Sequence, residues 1–477
     1  MNYAIVLNTL GWVLSFEAAA LLLPLVCALI YGEPYAFMFF ICIILCVLFG
    51  GICVTVPVKK RDMYAKEGFV IVALSWFVMS IFGALPFVMS GTLNFTDALF
   101  ETVSGFTTTG ATVLQDIEAV PKCLLFWRSF THWIGGMGVL VFLVAILPLS
   151  GGSNFHLIRA ESPGPSVSKL VPKVGQSAKL LYGIYIFLTI AEFVLLLIGG
   201  MSMFEALTTS FGTAGTGGFA VRNSSMADYS SYIQNVVTTF MIIFGVDFAI
   251  YYLLIMGRIR EIFHSEELRA YLGIIAVSAL IICFNCADLF DNIFTSLKHS
   301  AFQVASIITT TGFATADFDK WPELSKSILV GLMFIGACAG STGGGIKVSR
   351  ILILLKTIVK EIKIAVHPRR TYKLSISGRL IEHETVRAIN VFMVAYMVIY
   401  AFSVLIISVD NMDFTTNFTA VAATLNNVGP GLGKVGPVCN FGDYSALSKL
   451  VFIFDMLAGR LEIFPMLILF SASTWKK

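Results

Sequence analysis

Charged residues are scarce in this sequence, and their scarcity excludes most soluble folds. Asp, Glu, Lys and Arg make up 13% of the 477 residues, whereas apolar residues make up 57%. The mean hydropathy of +0.85 lies far outside the range typical of a globular protein in water. Such a composition suits a lipid bilayer, whose hydrocarbon core a helix of about 20 apolar residues can cross. The chain holds many such runs, so we expect a multi-pass membrane protein.

Residues that build enzyme and metal sites are few or unsuitably spaced. The six histidines form no HExxH or similar ligand spacing, and most of the nine cysteines lie within apolar runs, where they neither staple the fold nor bind metal. A glycine-rich run near residue 340 superficially resembles a phosphate-binding loop. However, no strand precedes the run, and Ile346 separates its last glycine from Lys347. We therefore expect no enzyme activity, catalytic residue, organic cofactor or nucleic-acid partner.

Basic residues concentrate on alternate loops. They are Lys59, Lys60 and Arg61; Lys169, Lys173 and Lys179; Arg258, Arg260 and Arg269; and the run from Lys347 to Arg379. The positive-inside rule places these loops, and with them the N-terminus, in the cytoplasm. The intervening loops carry acids instead, which would concentrate cations at the outer face. These acids are Asp116, Glu118, Asp228, Asp317, Asp319, Glu323 and Asp443.

One segment occurs four times. Aligned without gaps, the copies read DALFETVSGFTTTG to Gly110, EALTTSFGTAGTGG to Gly218, HSAFQVASIITTTG to Gly312, and TNFTAVAATLNNVG to Gly429. Each copy lies between two long apolar runs, so the repeating unit is a membrane helix, a short helix, a turn and a second membrane helix. The predicted outer helices are residues 67–91 and 125–148, 180–201 and 233–257, 270–290 and 327–359, and 388–409 and 446–471.

These boundaries predict an all-α polytopic membrane protein with four membrane-pore-membrane pseudo-repeats around one central pore. An extra hairpin, residues 5–30 and 36–57, precedes the repeats. The predicted parts are an N-terminal helical hairpin (1–62), pore repeat 1 (63–149), a cytoplasmic linker (150–178), pore repeat 2 (179–263), pore repeat 3 with a broken second helix and a cytoplasmic extension (264–376), and pore repeat 4 (377–477).

The short segments suit a cation pathway. Each is too short to cross the membrane, and the polar turn after it must face water or protein because lipid cannot satisfy its backbone groups. A short helix that enters from outside points the negative end of its dipole at the membrane centre, which favours a cation. Glycine in the turn allows successive carbonyls to face one axis and replace an ion's water shell. Copies two and four depart from the TTTG pattern, so we expect only pseudo-fourfold symmetry.

A second set of glycines follows the filter turns at offsets of 25 to 30 residues: Gly135, Gly245, Gly340 and Gly459. At 1.5 Å rise per residue they should lie at similar depth below the filter, although close helix packing also explains such glycines. The third copy predicts a helix break, because each helical glycine costs about 1 kcal/mol relative to alanine. The candidate gate is therefore Gly340, Ser341, Thr342, Gly343, Gly344 and Gly345.

Arg460 follows the fourth copy within an apolar run. An arginine at the bilayer centre costs about 2.5 to 3.5 kcal/mol or more unless it is paired or hydrated. It either projects below the filter and repels ions, or pairs with Glu462, Asp247 or Asp455, and the sequence leaves both interpretations open. Asp247 is also the one attractive coupling group for an H⁺- or Na⁺-driven symporter, which is the alternative to a channel-like pore.

The motifs SGFTTTGATV, TTTGFATAD, NNVGPG, AGSTGGGIK and AGRLE resemble, in their order and spacing, the TrkH/TrkG/KtrB superfamily of bacterial potassium transporters. The resemblance covers essentially the whole chain and is greatest to the TrkH branch. It implies potassium uptake by a homodimer in the bacterial cytoplasmic (inner) membrane. It also implies control by a cytoplasmic TrkA-type ring that binds NAD or ATP, facing Lys347 to Arg379 and the 150–179 loop.

The same resemblance assigns roles to individual residues. The K⁺ contacts fall on Thr108, Thr109 and Gly110; Thr216, Gly217 and Gly218; Thr310, Thr311 and Gly312; and Asn427, Val428 and Gly429. The Gly340 to Gly345 loop and Arg460 correspond to the constriction below the filter.

Overall fold

The computed structural model describes residues 1–58, 64–138 and 174–475. Several predicted features lie outside the described residues. They are the basic cluster Lys59 to Arg61, the end of the helix predicted at 125–148, and most of the linker predicted at 150–178, with Lys169 and Lys173.

The long apolar runs form membrane helices, as the composition predicts. Within the described ranges, six stretches are long and apolar enough to cross a membrane, and one bent helix pair is a seventh candidate. The leading hairpin consists of α1 (Tyr3–Ala20), α2 (Leu22–Ile30) and α3 (Ala36–Val54). Its connecting turn reaches repeat 1, where Glu33 accepts hydrogen bonds from the backbone amides of Lys122 (2.7 Å) and Cys123 (3.0 Å). The hairpin thereby caps the helix that follows the first filter turn.

Each repeat contains an outer helix, a short pore helix and a second helix. Repeat 1 has α4 (Ala65–Met89), α5 (Phe95–Phe106) and α6 (Lys122–Gly136). Repeat 2 has α7 (Val174–Ile198), α8 (Met203–Ala214), α9 (Ser231–Phe244) and α10 (Phe248–Ile255), followed by the short α11 (Ile259–His264). Repeat 3 has α12 (Glu266–Asn285), α13 (Ile293–Ile308), α14 (Glu323–Ile335) and α15 (Val348–Val366). Repeat 4 has α16 (His383–Ile407), α17 (Phe414–Leu425), α18 (Ala446–Arg460), α19 (Phe464–Phe470) and α20 (Ala472–Trp475).

The four pore helices begin at the same kind of residue. Asn94, Ser202, Asn292 and Asp413 each accept, through a side-chain oxygen, a hydrogen bond from the backbone amide three residues later. Such N-caps satisfy amides that a helix start leaves unpaired. A polar cap thus sets the outer end of each pore helix, and the filter turn sets its inner end.

The second helices are less regular than the sequence predicts. The break in repeat 3 is confirmed, since residues 336–347 form a loop between α14 and α15. The prediction of one continuous helix at 233–257 is wrong, because α9 and α10 meet at an angle of 91°. Asp247 causes this restart by accepting a hydrogen bond from the amide of Ala249 (2.9 Å). The prediction of one helix at 446–471 is also wrong, because Glu462 and Ile463 adopt positive φ between α18 and α19.

The segment between α15 and α16 includes a small antiparallel hairpin. Strands β1 (Ser375–Ile376) and β2 (Arg379–Leu380) pair Ser375 with Leu380 and Ile376 with Arg379. Glu266, at the start of α12, accepts a hydrogen bond from the amide of Ser377 (3.2 Å) and pairs with Lys356 of α15. These contacts hold the hairpin against the two helices.

Candidate ion filter and gate

The four pore helices end in the same backbone turn. In each, the amide preceding the filter glycine bonds the carbonyl five residues earlier: Thr109 to Ser104 (2.9 Å), Gly217 to Gly212 (2.8 Å), Thr311 to Ser306 (2.8 Å) and Val428 to Ala423 (2.8 Å). Thr108, Thr216, Thr310 and Asn427 all have φ between 55° and 59°, and the filter glycines have φ between 74° and 99°. Non-glycine residues rarely adopt positive φ and do so mainly at functional sites. The repeated sequence motif therefore forms the same backbone turn in all four copies.

The four turns close into a ring. A Cβ atom on Gly110 would collide with the carbonyl oxygen of Gly217, one on Gly218 with that of Thr311, and one on Gly312 with that of Val428. A Cβ on Gly429 would lie 2.8 Å from the carbonyl oxygen of Thr109, which completes the circuit from copy four to copy one. Each glycine thus packs against the equivalent carbonyl of the next copy. This close approach explains why glycine alone is common to all four turns at that position.

Hydroxyl groups support the backbone in copies one and three. Thr107 Oγ1 donates to the carbonyl of Val103 (2.6 Å) and shares a hydrogen bond with Thr109 Oγ1 (2.8 Å). Thr309 and Thr311 repeat the second contact at 2.8 Å. In copy four the side-chain amide of Asn427 donates to Thr109 Oγ1 (2.9 Å) and so ties the fourth turn to the first. Copy two has glycine at the corresponding position, residue 217.

A buried ion pair supports the first two turns, and the sequence analysis did not find it. Arg128 on α6 is 2% exposed, and its Nε lies 2.5 Å from the carboxylate of Glu101 on α5, which is fully buried. Glu101 also accepts a hydrogen bond from the amide of Val113 (3.0 Å), just after the first turn. Arg128 donates to the carbonyl of Ala220 (2.9 Å), just after the second turn. The Arg128–Glu101 ion pair therefore holds the segments that follow the first and second filter turns.

Replacing Arg128 by methionine should lower the free energy of unfolding by about 3 to 5 kcal/mol, because Glu101 would remain buried without its counter-charge. The matched control is Arg222→Met, since the Arg222–Glu205 pair lies at the surface with Arg222 38% exposed. Its loss should cost about 0 to 1 kcal/mol. Denaturant unfolding of the purified protein in detergent measures both, and equal losses would contradict a special role for the buried pair.

The predicted gate loop lies directly beneath the ring. The amide of Gly344 donates to Thr310 Oγ1 (2.6 Å), and the amide of Gly345 donates to the carbonyl of Asn426 (3.0 Å). The loop also contacts repeat 2, where Thr342 Oγ1 donates to the carbonyl of Phe244 (3.2 Å). The loop is thus bonded to the turns of copies three and four and to the broken helix of repeat 2.

Lys347 closes the base of this loop, in contrast to its predicted place in an exposed cytoplasmic run. It is 2% exposed, has φ of 84°, and its ammonium donates to the carbonyl of Gly343. Its amide donates to the carbonyl of Ile335 (3.0 Å), so the two ends of the loop are joined. The neighbouring Arg350 is also buried and pairs with Glu462. The exposed basic run therefore begins further along α15.

Arg460 joins the loop to two other repeats. Its guanidinium donates to the carbonyls of Thr342 (2.9 Å), Gly135 (2.5 Å) and Gly136 (3.0 Å). The three carboxylates considered as partners have other contacts: Glu462 pairs with Arg350, Asp455 accepts from Ser403 Oγ (2.7 Å), and Asp247 caps α10. These contacts support a position of Arg460 below the filter. They also give Arg460 a bridging role between the loop and repeat 1, which neither interpretation of the sequence included.

Two of the second set of glycines pack against the ends of pore helices in the same way. Cβ atoms on Gly135 and Gly459 would collide with the carbonyls of Phe106 and Leu425, which are equivalent pore-helix ends. Gly245 instead accepts a hydrogen bond from the amide of Cys338 (3.1 Å). A Cβ on Gly245 would also lie 2.3 Å from the hydroxyl of Tyr271, so close packing extends to that position, and Gly245 and Gly340 in addition join the break in repeat 2 to the loop in repeat 3.

Asp413 begins the fourth pore helix, and Asp116 follows the first filter turn. Hydrogen bonds from the hydroxyl and the amide of Thr416 hold the pKa of Asp413 below its ordinary value. A hydrogen bond from the side chain of Asn223 likewise lowers the pKa of Asp116. Both carboxylates are therefore ionised at neutral pH and favour cations near the outer entrance.

Comparison with known proteins places relatives along the whole chain. The family model TrkH, described as a cation transport protein, matches residues 36–477. The Trk system potassium uptake proteins TrkH of Salmonella typhimurium and Vibrio parahaemolyticus are 36% and 38% identical, and both alignments cover 100% of each chain. TrkG of Escherichia coli is 34% identical over 99% of this chain and 98% of its own. The crystal structure of the potassium transporter TrkH from Vibrio parahaemolyticus matches with a TM-score of 0.90 at 34% identity, covering 100% of both chains.

Proposed function

The chain belongs to the TrkH family of cation transport proteins, and from that premise we propose that it takes up potassium across the bacterial cytoplasmic membrane through a channel-like pore. Its relatives named as potassium uptake proteins span the full chain length, which supports potassium as the transported ion. The observation that carries the mechanism is the closed ring of four filter turns. In it, each glycine packs against a carbonyl of the next copy.

The filter holds K⁺ through backbone carbonyls. Carbonyl rings of this kind replace the water shell of an ion, and the pore-helix dipoles favour its positive charge. The contacts are those of Thr108, Thr109 and Gly110; Thr216, Gly217 and Gly218; Thr310, Thr311 and Gly312; and Asn427, Val428 and Gly429. K⁺ is the cargo, and the function needs no organic cofactor in this chain.

The loop from Gly340 to Gly345 acts as the gate. This role is supported by the hydrogen bonds from the loop to Thr310 and Asn426 of the filter turns and by the hydrogen bond from Arg460 to Thr342 of the loop. Ions therefore pass only when the loop moves. Irregular backbone at this depth is tolerated where it borders protein or water, and such a loop has two available positions once its bonds are broken.

Deleting Gly343 to Gly345 should raise the resting potassium flux by about tenfold or more, since the loop would lose both bonds to the filter. The measurement is ⁸⁶Rb⁺ efflux from liposomes, with gel filtration and thermal unfolding as checks that the variant is folded. Unchanged flux from a well-folded deletion would exclude the loop as the gate.

A regulator acts from the cytoplasmic side. The relatives are components of Trk systems, which supports a multi-component assembly, and we extend this to a homodimer carrying a TrkA-type nucleotide-binding ring. A physical route exists for such control, because Glu267 on α12 accepts hydrogen bonds from the amides of Ala339 (2.7 Å) in the loop and Ser349 (3.2 Å) in α15. We retain as part of the proposal the division into hairpin, linker and four repeats that the sequence predicts.

Coupling to H⁺ or Na⁺ is the second candidate function. It is favoured by one observation: Asp247 lies at the break between α9 and α10, and a Cβ on Gly340 of the gate loop would lie 2.6 Å from its Oδ1. A carboxylate in contact with a loop that moves would couple the binding of a cation to that movement.

Potassium-dependent growth tests the proposed uptake. A bacterial strain that lacks its own potassium uptake systems should grow at low potassium when it expresses this chain together with a Trk regulatory subunit. Two results would contradict potassium uptake. One is growth that added sodium restores as well as added potassium does; the other is no restoration of growth although the protein reaches the membrane.

A further inference from the structure

A histidine of repeat 1 fills the place of a side chain that the second filter turn lacks. The residue before the filter glycine is Thr109, Thr311 or Val428 in three copies, whereas the second copy has Gly217. Gly217 is not among the residues with positive φ, so its backbone accepts any side chain. A Cβ there would collide with ring atoms Cγ, Nδ1 and Cε1 of His132. The imidazole therefore occupies the space that a side chain of the turn itself fills in the other copies.

The position of His132 is fixed on several sides. Its ring stacks on that of Phe219, with centroids 4.1 Å apart and planes 19° apart, and its Nδ1 lies 3.5 Å from the amide of Phe219. The guanidinium of Arg128 lies 3.5 Å from the centroid of the same Phe219 ring, and Arg128 is paired with Glu101. His132 is fully buried. The imidazole of His132, which lies on α6, is thus held by contacts with the second filter turn, which is distant in sequence.

This placement has a consequence for the carbonyl of Gly217. Two adjacent glycines, 217 and 218, give this turn more conformational freedom than the others. The Gly217 carbonyl contacts Gly110 of the ring, so its direction affects the ion path. In copies one and three, a hydrogen bond between two threonine hydroxyls ties the residue before the filter glycine to the end of the pore helix. In copy two, which has glycine at that position, the imidazole of His132 from repeat 1 lies against the turn.

We propose that His132 is a positioning residue that holds the Gly217 carbonyl toward the pore axis and thereby sets the preference for K⁺ over Na⁺. The inference rests on the proposed potassium pore and deepens it, since it assigns a selectivity determinant outside the four filter turns. Selectivity depends on the number and direction of carbonyl dipoles around the ion. A turn free to rotate one carbonyl away would admit the smaller, more strongly hydrated Na⁺ with a smaller penalty.

The test compares four variants by ⁸⁶Rb⁺ uptake into liposomes, with and without competing Na⁺. His132→Ala should reduce the Rb⁺ over Na⁺ preference by about tenfold, because the Gly217 carbonyl loses its support. His132→Gln should retain the preference within about threefold, since a planar amide of similar reach fills much of the same space. Gly217→Ala alone should lose uptake, because its methyl group collides with the imidazole.

The double variant His132→Ala with Gly217→Ala should recover uptake that Gly217→Ala loses, because the new methyl group occupies the vacated space. Gly183→Ala on α7 is the control, since a Cβ there meets no atom within 4 Å. A merely structural role for His132 lowers the amount of folded protein and the maximal rate but leaves the ion preference unchanged. If His132→Ala alone does not fold, the double variant, whose new methyl group fills part of the vacated space, is measured in its place, and its Rb⁺ over Na⁺ preference should be reduced because the imidazole is gone.

An unchanged ion preference in His132→Ala, or a double variant no better than Gly217→Ala, would overturn the inference while leaving potassium uptake intact. Absence of Rb⁺ uptake by the unmodified protein with its regulator would instead contradict the proposed function. The two failures are therefore distinguishable.

Discussion

Alanine in place of Gly110 should abolish potassium uptake while the protein still reaches the membrane. Gly110 has φ of 80°, where a Cβ is strained by roughly 1 to 2 kcal/mol, and the added methyl group would also collide with the carbonyl oxygen of Gly217. The second copy must then move, and with it one quarter of the carbonyl ring. We expect ⁸⁶Rb⁺ uptake to fall by at least about 100-fold, because the ring supplies the ion's coordination in place of water.

Gly331→Ala on α14 is the control for this prediction. It adds the same methyl group to a helical glycine at which a Cβ meets no atom within 4 Å. Uptake should stay within about twofold of the unmodified protein, because alanine is the better helix former. Comparable uptake by Gly110→Ala and Gly331→Ala would show that the ring of close glycine contacts is not the ion path.

Neutralising Arg460 should raise the resting flux of potassium by about 10- to 100-fold. The guanidinium donates charge-assisted hydrogen bonds to Thr342 in the loop and to Gly135 and Gly136 in repeat 1. Each such bond contributes about 1.5 to 3 kcal/mol, and a tenfold change in population needs about 1.4 kcal/mol. Arg460→Gln therefore favours the open loop. The measurement is ⁸⁶Rb⁺ efflux from liposomes without a regulatory subunit.

Arg460→Lys distinguishes two roles for Arg460. In the first, which we call a tie, its hydrogen bonds hold the loop closed; in the second, its charge forms an electrostatic barrier to ions. Lysine keeps the positive charge below the filter but lacks the planar fork that reaches two repeats at once. If Arg460 acts as a tie, Arg460→Lys leaks almost as much as Arg460→Gln. If it acts only by repelling ions, Arg460→Lys stays tight. Loss of folding in both variants would instead assign the residue a purely structural role.

The four similar turns at the ends of the pore helices were predictable from the sequence because their geometry is local. Four copies of a short motif specify four identical turns, and the polar caps Asn94, Ser202, Asn292 and Asp413 each act within three residues. The broken helix of repeat 3 was predictable for the same reason, since a run of glycines breaks a helix wherever it lies.

The supporting residues were not predictable because their partners are distant in sequence. Arg128 and His132 lie on an ordinary apolar helix, and their contacts with Ala220 and Gly217 appear only when repeats 1 and 2 meet. The available signal was the missing side chain at residue 217, which required some other group to fill its place. Asp247 shows a related limit, because a single acid within an apolar run reads equally as a coupling site or a helix cap.

Ion flux in the absence of any H⁺ or Na⁺ gradient distinguishes a passive potassium pore from a coupled symporter. Purified protein alone is placed in liposomes with potassium inside, and ⁸⁶Rb⁺ accumulation is followed with no pH gradient and no Na⁺ gradient, in the Arg460→Gln variant so that the gate is open. We predict rapid accumulation that excess external Na⁺ competes with only weakly. Accumulation that requires an imposed H⁺ or Na⁺ gradient would contradict the passive pore and favour the coupled symporter.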